Sequence, residues 1–391
     1  MSRLRQPVSR TLVLLLGVGA ALILVGSVTA YLTGLLGEVA RRGPQPASPT
    51  PPPRTRYDCL IIRNLTGRDD VVASTGFPAY ASTAEAPLSG EPPVPAASHQ
   101  AELLGTQVHV AVYGMHPDRA ETAVNAALDR IDQLSRKLNI FDPESDLSRI
   151  NREAHGPPVR IDRDLHRLVD MSGRVAALSD GAFDATVGPL TALWRTYRRR
   201  GEIPPPEEVE RARARVDYRK VSVTDGPTLT FTVEGTSFDF GGIAKGFAAE
   251  EAGKVLAVHG VRSAVIDCGG DLKLIGSRPG GEPFRVGVDD PTPGTVSSFR
   301  FILSLTDTSV VTSGNYRQFT VIDGRRYSHI IDPRTGQSIE ALPSVTVIGP
   351  DSGMCDALAT AISVLGEEEG LKLIEKVNAA EDRRRRATRG I

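Results

Sequence analysis

The amino-acid sequence predicts an α+β fold, with mixed, largely antiparallel sheets and packed helices, preceded by one N-terminal transmembrane helix. Three observations predict it. Beyond residue 100, strand-like runs outnumber helical ones and do not alternate regularly with them, which argues against a doubly wound parallel sheet. The Asp323-Gly324 pair between two such runs is a strong type I′ hairpin signal, and hairpins build antiparallel sheet. Residues 12–36 form an uncharged apolar run of about 25 residues, enough to cross a bilayer core as a helix.

Arg3, Arg5 and Arg10 precede that run, while Arg41 and Arg42 follow it, partly offset by Glu38. The bias favours a cytoplasmic N-terminus and an exported remainder. The run is longer than a signal-peptide core and is followed by arginines, so an anchor at 1–42 is favoured over a cleaved signal sequence. The expectation is a single-pass protein of the inner membrane with its folded part on the exported, periplasmic side. Residues 43–100 read as a proline-rich spacer, ordered in part at best. "RRGPQPASPTPPPR" forms neither helix nor ladder, whereas "YDCLIIRNL" admits a strand. The folded domain is expected over 101–380, with a basic tail at 381–391.

Within that domain "TQVHVAVYG" alternates like a strand. From Asp118, Val124, Ala127, Leu128, Ile131, Leu134 and Leu138 recur at helical spacing. A second helix opens near Asp162, carries Leu165, Leu168, Val169, Val175 and Ala176, and stops at Gly181. Then come the strand-like runs "VSV", "LTFTV", "SFDF", "SAVID", "FRVGV", "SFRFILSLT", "RQFTVI", "RYSHII" and "SVTVIG". Two helices, near 354–365 and 367–377, close the chain.

Composition narrows the function classes. A formal net charge of -1 offers no basic field for nucleic acid. The runs Arg198 to Arg200 and Arg383 to Arg386 read as solvated helix faces or tail ends and receive no role. Cys59, Cys268 and Cys355 are odd in number and lack Cys-x-x-Cys spacing, so they read as buried fillers.

The chemistry concentrates in four segments. "FDFGGIAKGFAAE", 238–250, is a glycine turn opening a helix, which suits an anion, although it fits neither the Walker loop nor the dinucleotide fingerprint. Lys245 adds a point charge there. "DCGGDLKLIG", 267–276, is a second paired-glycine turn, followed by Asp271. "TSGNYRQF" precedes "YSHIIDPRTG", where His329 can act as a general base beside Asp332 or simply pack in a sheet. "CDALATA" spaces Asp356 and Thr360 at i, i+4 on one helical face, a hard-oxygen pair suited to Mg²⁺; a helix-end charge is the other reading of Asp356.

These segments, together with "LNIFDPESDLSRIN" and "FDATVGPLTALW", resemble in order and wording the signatures of the ApbE family of FAD:protein FMN transferases. The resemblance implies a T-fold-like domain that uses Mg²⁺ to move FMN from FAD onto a threonine or serine of an acceptor flavoprotein subunit in a membrane redox complex, releasing AMP. It implies that the Ala244 carbonyl, Asp356 and Thr360 hold the metal and that Lys245 lies near the diphosphate. Around FAD it sets Phe141, Asp184, Thr186, Gly188, Gly241, Gly242, Gly269, Gly270, Asp271, Thr312 and Ser313. His329, with Asp332, would deprotonate the acceptor hydroxyl. Three positions depart from the family pattern: Leu104 for methionine, Phe141 for tyrosine and Asn315 for aspartate. An FAD pyrophosphatase yielding FMN and AMP, or a tethered flavin-binding protein without catalysis, are the alternatives.

Overall fold

A computed structural model describes residues 55–62, 71–73, 81–83, 93–224, 226–291, 299–314, 319–339 and 342–389. The expected membrane helix at 12–36 and the Asn315 substitution lie outside these residues. Among the described residues, no helix is long and apolar enough to cross a membrane.

Five strands come first: β1 (Asp58–Ile62), β2 (Val71–Ala73), β3 (Ala81–Thr83), β4 (Ala97–Leu103) and β5 (Thr106–Val112). Then follow α1 (Pro117–Lys137), α2 (Asp146–Glu153), β6 (Val159–Arg160), α3 (Arg163–Leu178), α4 (Gly188–Arg200) and α5 (Pro206–Arg213). The middle of the chain forms β7 (Val221–Thr224), β8 (Thr228–Phe231), α6 (Ala244–Val258), β9 (Ala264–Cys268), β10 (Asp271–Ile275), β11 (Phe284–Asp289) and β12 (Phe299–Leu305). It ends with β13 (Ser309–Gly314), β14 (Phe319–Ile322), β15 (Arg325–Ser328), β16 (Ser344–Gly349), α7 (Ser352–Leu365) and α8 (Glu367–Arg389).

Eight strands make the main sheet, in the order β2-β1-β16-β13-β10-β9-β5-β4, every pair antiparallel. Alternation decides its two faces. Val108, Val110 and Val112 of β5 sit opposite Cys268, Ile266 and Ala264 of β9 and pack under the helices. Ala111 and Val265 point the other way, into a second core roofed by the small sheet β11-β12-β3. Asp323 and Gly324, with φ of 50° and 77°, make the expected tight turn of the β14-β15 hairpin.

Helix α7 is buried over most of its circumference, which explains why its sequence is small and apolar on nearly every side, while α6 buries its small and apolar residues against it and leaves Lys254 and Val258 exposed. Gly246 is where they touch. A Cβ there would come within 2.2 Å of the Ser352 carbonyl oxygen, so glycine serves close approach rather than turn geometry.

Two sequence boundaries move. The strand β1, inside the expected spacer, inserts between β2 and β16, and four of its five residues are buried; the folded unit therefore starts well before residue 101. A short continuous apolar run is ambiguous on its own, and its sheet partner lies near the other end of the chain. At the far end α8 continues through the expected tail to Arg389. "SFDF" forms no strand. Asn151 instead bonds both the N–H and the carbonyl of Phe238, at 2.8 and 2.9 Å, as a strand neighbour would.

Asn378 of α8 ties down β1 in the same manner, accepting from Tyr57 N at 2.8 Å and donating to Tyr57 O at 2.9 Å. Both groups are buried, so Asn378→Ala leaves two main-chain polar atoms unpaired. It is expected to destabilise the fold by about 2 kcal/mol or more. A chemical-denaturation midpoint unchanged from the parent would refute this.

Candidate active site

Three segments meet at one end of the main sheet: the turn before α6, the β9-β10 turn, and the first half of α7. Leu272 stands opposite Val310, so Thr312 and Ser313 on β13 lie at this same end. The backbone at the β9-β10 turn runs through Gly269 and Gly270, at φ of 65° and 93°, a region open to glycine at little cost. The turn presses on β5, where a Cβ on Gly269 would strike the Thr106 hydroxyl at 2.2 Å.

Lys245 reaches from the first turn of α6 to the buried carboxylate of Asp271, and its ammonium lies 4.0 Å from Asp356. Burial alone pushes Lys245 down; Asp271 and Asp356 outweigh it and hold the ammonium above its ordinary range. Burial raises Asp271, against the pull of Lys245 and with the push of Asp356. Burial likewise lifts Asp267 to about 7, opposed by the Gly270 N–H at 2.6 Å.

Asp267 supplies a pH prediction. A carboxyl raised in the folded state binds more protons there than in the unfolded chain. Its contribution is therefore full below the unfolded pKa and is lost as pH rises toward the folded value. Asp267→Asn keeps an acceptor for Gly270 but cannot ionise. Its Tm should exceed the parent's at about pH 8, with the gap closing toward about pH 4. A gap that is constant or reversed would rule out this ionisation.

Asp356 is 3% exposed and accepts from Gly246 N at 3.0 Å. It caps the start of α6, whereas α7 is capped by Asp351, which accepts from Met354 N at 2.9 Å. The second reading of Asp356, a helix-end charge, is thus realised on a different helix from its own. One turn along, the Thr360 hydroxyl lies 3.5 Å from the Gly242 carbonyl, and a Cβ on Gly242 would meet it at 2.9 Å. Ala244 opens α6, but the carbonyl set beside Thr360 is that of Gly242.

A small divalent cation fits this donor set. One carboxylate, one hydroxyl and a main-chain carbonyl are all hard oxygens, and the Lys245 ammonium, bonded to Asp271, stays 4.0 Å from Asp356. Among the described residues no group of three or more His, Cys, Asp or Glu could cage a metal.

The residues expected around FAD divide. Asp184 and Thr186 spend their polar atoms on each other and on the main chain: Thr186 N and Oγ1 donate to Asp184 at 2.8 and 2.7 Å, and Tyr218 N donates to its other oxygen at 2.7 Å. They brace the loop that starts α4. Gly188 is needed for contact with Ser237, whose carbonyl oxygen would lie 2.6 Å from a Cβ. Phe141 is 68% exposed, with the Arg195 guanidinium 4.8 Å from its ring centroid. Arg195 pairs with Asp239 at 3.5 Å, and Asp239 accepts from Gly241 N at 2.9 Å and from Thr191 at 2.8 Å. Phe141 is thereby linked to the glycine turn. Asp239, Arg195 and Thr191 went unread in the sequence; an aspartate two residues before Gly241 was the available signal.

His329 is exposed, directly after β15. Asp332 does not stand free to orient it, because both its oxygens are forked by Arg334 at 3.0 Å. The Asp180–Thr186 loop joins this cluster to the first: Gly181 lies against Arg334, and Phe183 against Gly242.

Comparisons with known proteins point to one family. The ApbE family model matches residues 104–381. The FAD:protein FMN transferase of Treponema pallidum is 34% identical over 318 residues, 75% of this chain and 87% of the relative. That of Vibrio cholerae is 31% identical, covering 70% and 82%. The crystal structure of the ApbE protein from Thermotoga maritima superposes with a TM-score of 0.64 at 30% identity, over 73% of this chain and 92% of that one. Pseudomonas stutzeri flavinyl transferase ApbE, in its apo form, gives 0.63 at 33% identity, over 72% and 88%. With the matched segment spanning five of the main sheet's eight strands, both glycine turns and α7, the chain belongs to the ApbE family.

Proposed function

We propose that this protein transfers FMN from FAD to a threonine or serine hydroxyl of an acceptor flavoprotein subunit in a membrane redox complex, releasing AMP. The observation that carries the reading is the cluster of Lys245, Asp271, Asp356 and Thr360 around the Gly241–Gly246 turn, in a chain whose relatives are named FAD:protein FMN transferases. Lys245 and the glycine turn bind and orient the diphosphate. Asp356 and Thr360 would hold Mg²⁺, which when bound supplies charge neutralisation on the anhydride oxygens. An imidazole nitrogen of His329 takes the proton of the acceptor hydroxyl as its oxygen bonds to the FMN phosphorus and the bond to AMP breaks.

The test incubates the full chain with FAD, Mg²⁺ and a candidate acceptor. Flavin fluorescence that stays on the denatured acceptor band is expected. FMN and AMP with an unlabelled acceptor would replace transfer by hydrolysis, and no turnover would leave a passive flavin binder. Residues 12–36 anchor the protein, with the folded domain on the periplasmic side of the inner membrane. Native protein should fractionate with membranes and keep its N-terminus; soluble protein with a new start near Gly43 would overturn the anchor.

A further inference from the structure

The Arg198 to Arg200 run acquires a setting that its sequence did not suggest. Helices α4 and α5 form one module with the β14-β15 hairpin. Leu190, Trp194, Val209, Ala212 and Ile331 share a core, and Arg198 donates to the carbonyl of Ser328, the residue before His329. Residues 188–220 and 319–339 together hold twelve Lys and Arg against seven Asp and Glu, in a chain whose formal net charge is -1. Between α4 and α5 lies a cleft of about 710 Å³, lined by Ala192 and Leu193 together with Arg200, Arg211 and Arg215. None of these three arginines forms an ion pair among the described residues, and all are exposed. The one carboxylate lining it, Glu208, accepts from the Tyr197 hydroxyl at 2.9 Å.

From this we infer that the α4-α5 cleft docks an acidic segment of the acceptor protein, on the module that carries His329. The inference rests on the transferase reading. Unpaired guanidinium groups fit carboxylates in forked geometry, and a local positive field steers an acidic partner toward the face where its hydroxyl must react. The cleft lies on a different side of α4 from Thr191 and Arg195, which face Asp239, so a docked segment leaves the glycine turn open.

The test uses the full chain in detergent with fluorescent oligoglutamate and oligoglutamine peptides, and two variants of equal charge change. R200E/R211E/R215E reverses the cleft; R383E/R384E/R386E reverses exposed arginines on α8. The parent should prefer oligoglutamate, the cleft variant should weaken that binding by about tenfold or more, and the α8 variant should stay within about twofold. Equal losses in both variants, or no preference in the parent, would overturn the cleft. With the acceptor subunit, the cleft variant should raise the acceptor KM and leave the KM for FAD unchanged. Labelling with an unchanged acceptor KM overturns the docking inference alone. Peptide binding that tracks the cleft, with no acceptor ever labelled, overturns the transferase reading instead.

Discussion

Asp356→Asn is expected to lower FMN transfer by about 10³ while the protein stays folded. The amide keeps an oxygen to accept from Gly246 N, now 3.0 Å from Oδ2, so the junction between α6 and α7 is preserved. What is lost is the only carboxylate of the proposed donor set, the group that draws a hard cation against Thr360 and the Gly242 carbonyl. A purely structural role predicts the opposite pattern, with asparagine nearly as active as the parent. Single-turnover transfer at saturating FAD, together with Mg²⁺ titration followed by calorimetry, decides between them. A variant that retains both Mg²⁺ affinity and rate would remove Asp356 from the metal site.

His329→Ala is expected to reduce transfer by roughly 10² to 10⁴, the range for loss of a positioned acid or base, with FAD affinity little changed. Its exposed place after β15, on a strand end held through Ser328 by Arg198, suits a group that meets a second protein rather than one that packs the core. Truncating it should therefore cost little stability. The loss should fall on the rate constant and not on FAD binding, and added imidazole should restore part of it. A destabilised variant that is nearly active once folded would instead mark a packing residue. Asp332→Asn, which breaks the fork with Arg334, should act mainly through the geometry of the Asp332–Gly336 turn.

Much of this protein was determined by local sequence. Periodicity set α1 and α3 because an amphipathic helix shows itself within its own window, and Asp323-Gly324 set its hairpin because that turn type needs two positive φ values in succession. The order of seven motifs identified the family, and Asp356 and Thr360 were legible as a pair because i, i+4 spacing is local. Tertiary structure alone decided the rest. No window around "DCLII" shows that its partner is β16, nearly three hundred residues away, so the sheet's membership was hidden. The capping of α6 by an aspartate from α7, the diversion of Lys245 to Asp271, and the use of Asp184 and Asp332 as internal braces all join residues far apart in the chain or compete for one carboxylate. Spacing names which groups are present. Which partner each charge takes depends on distance and burial, and only the folded chain sets those.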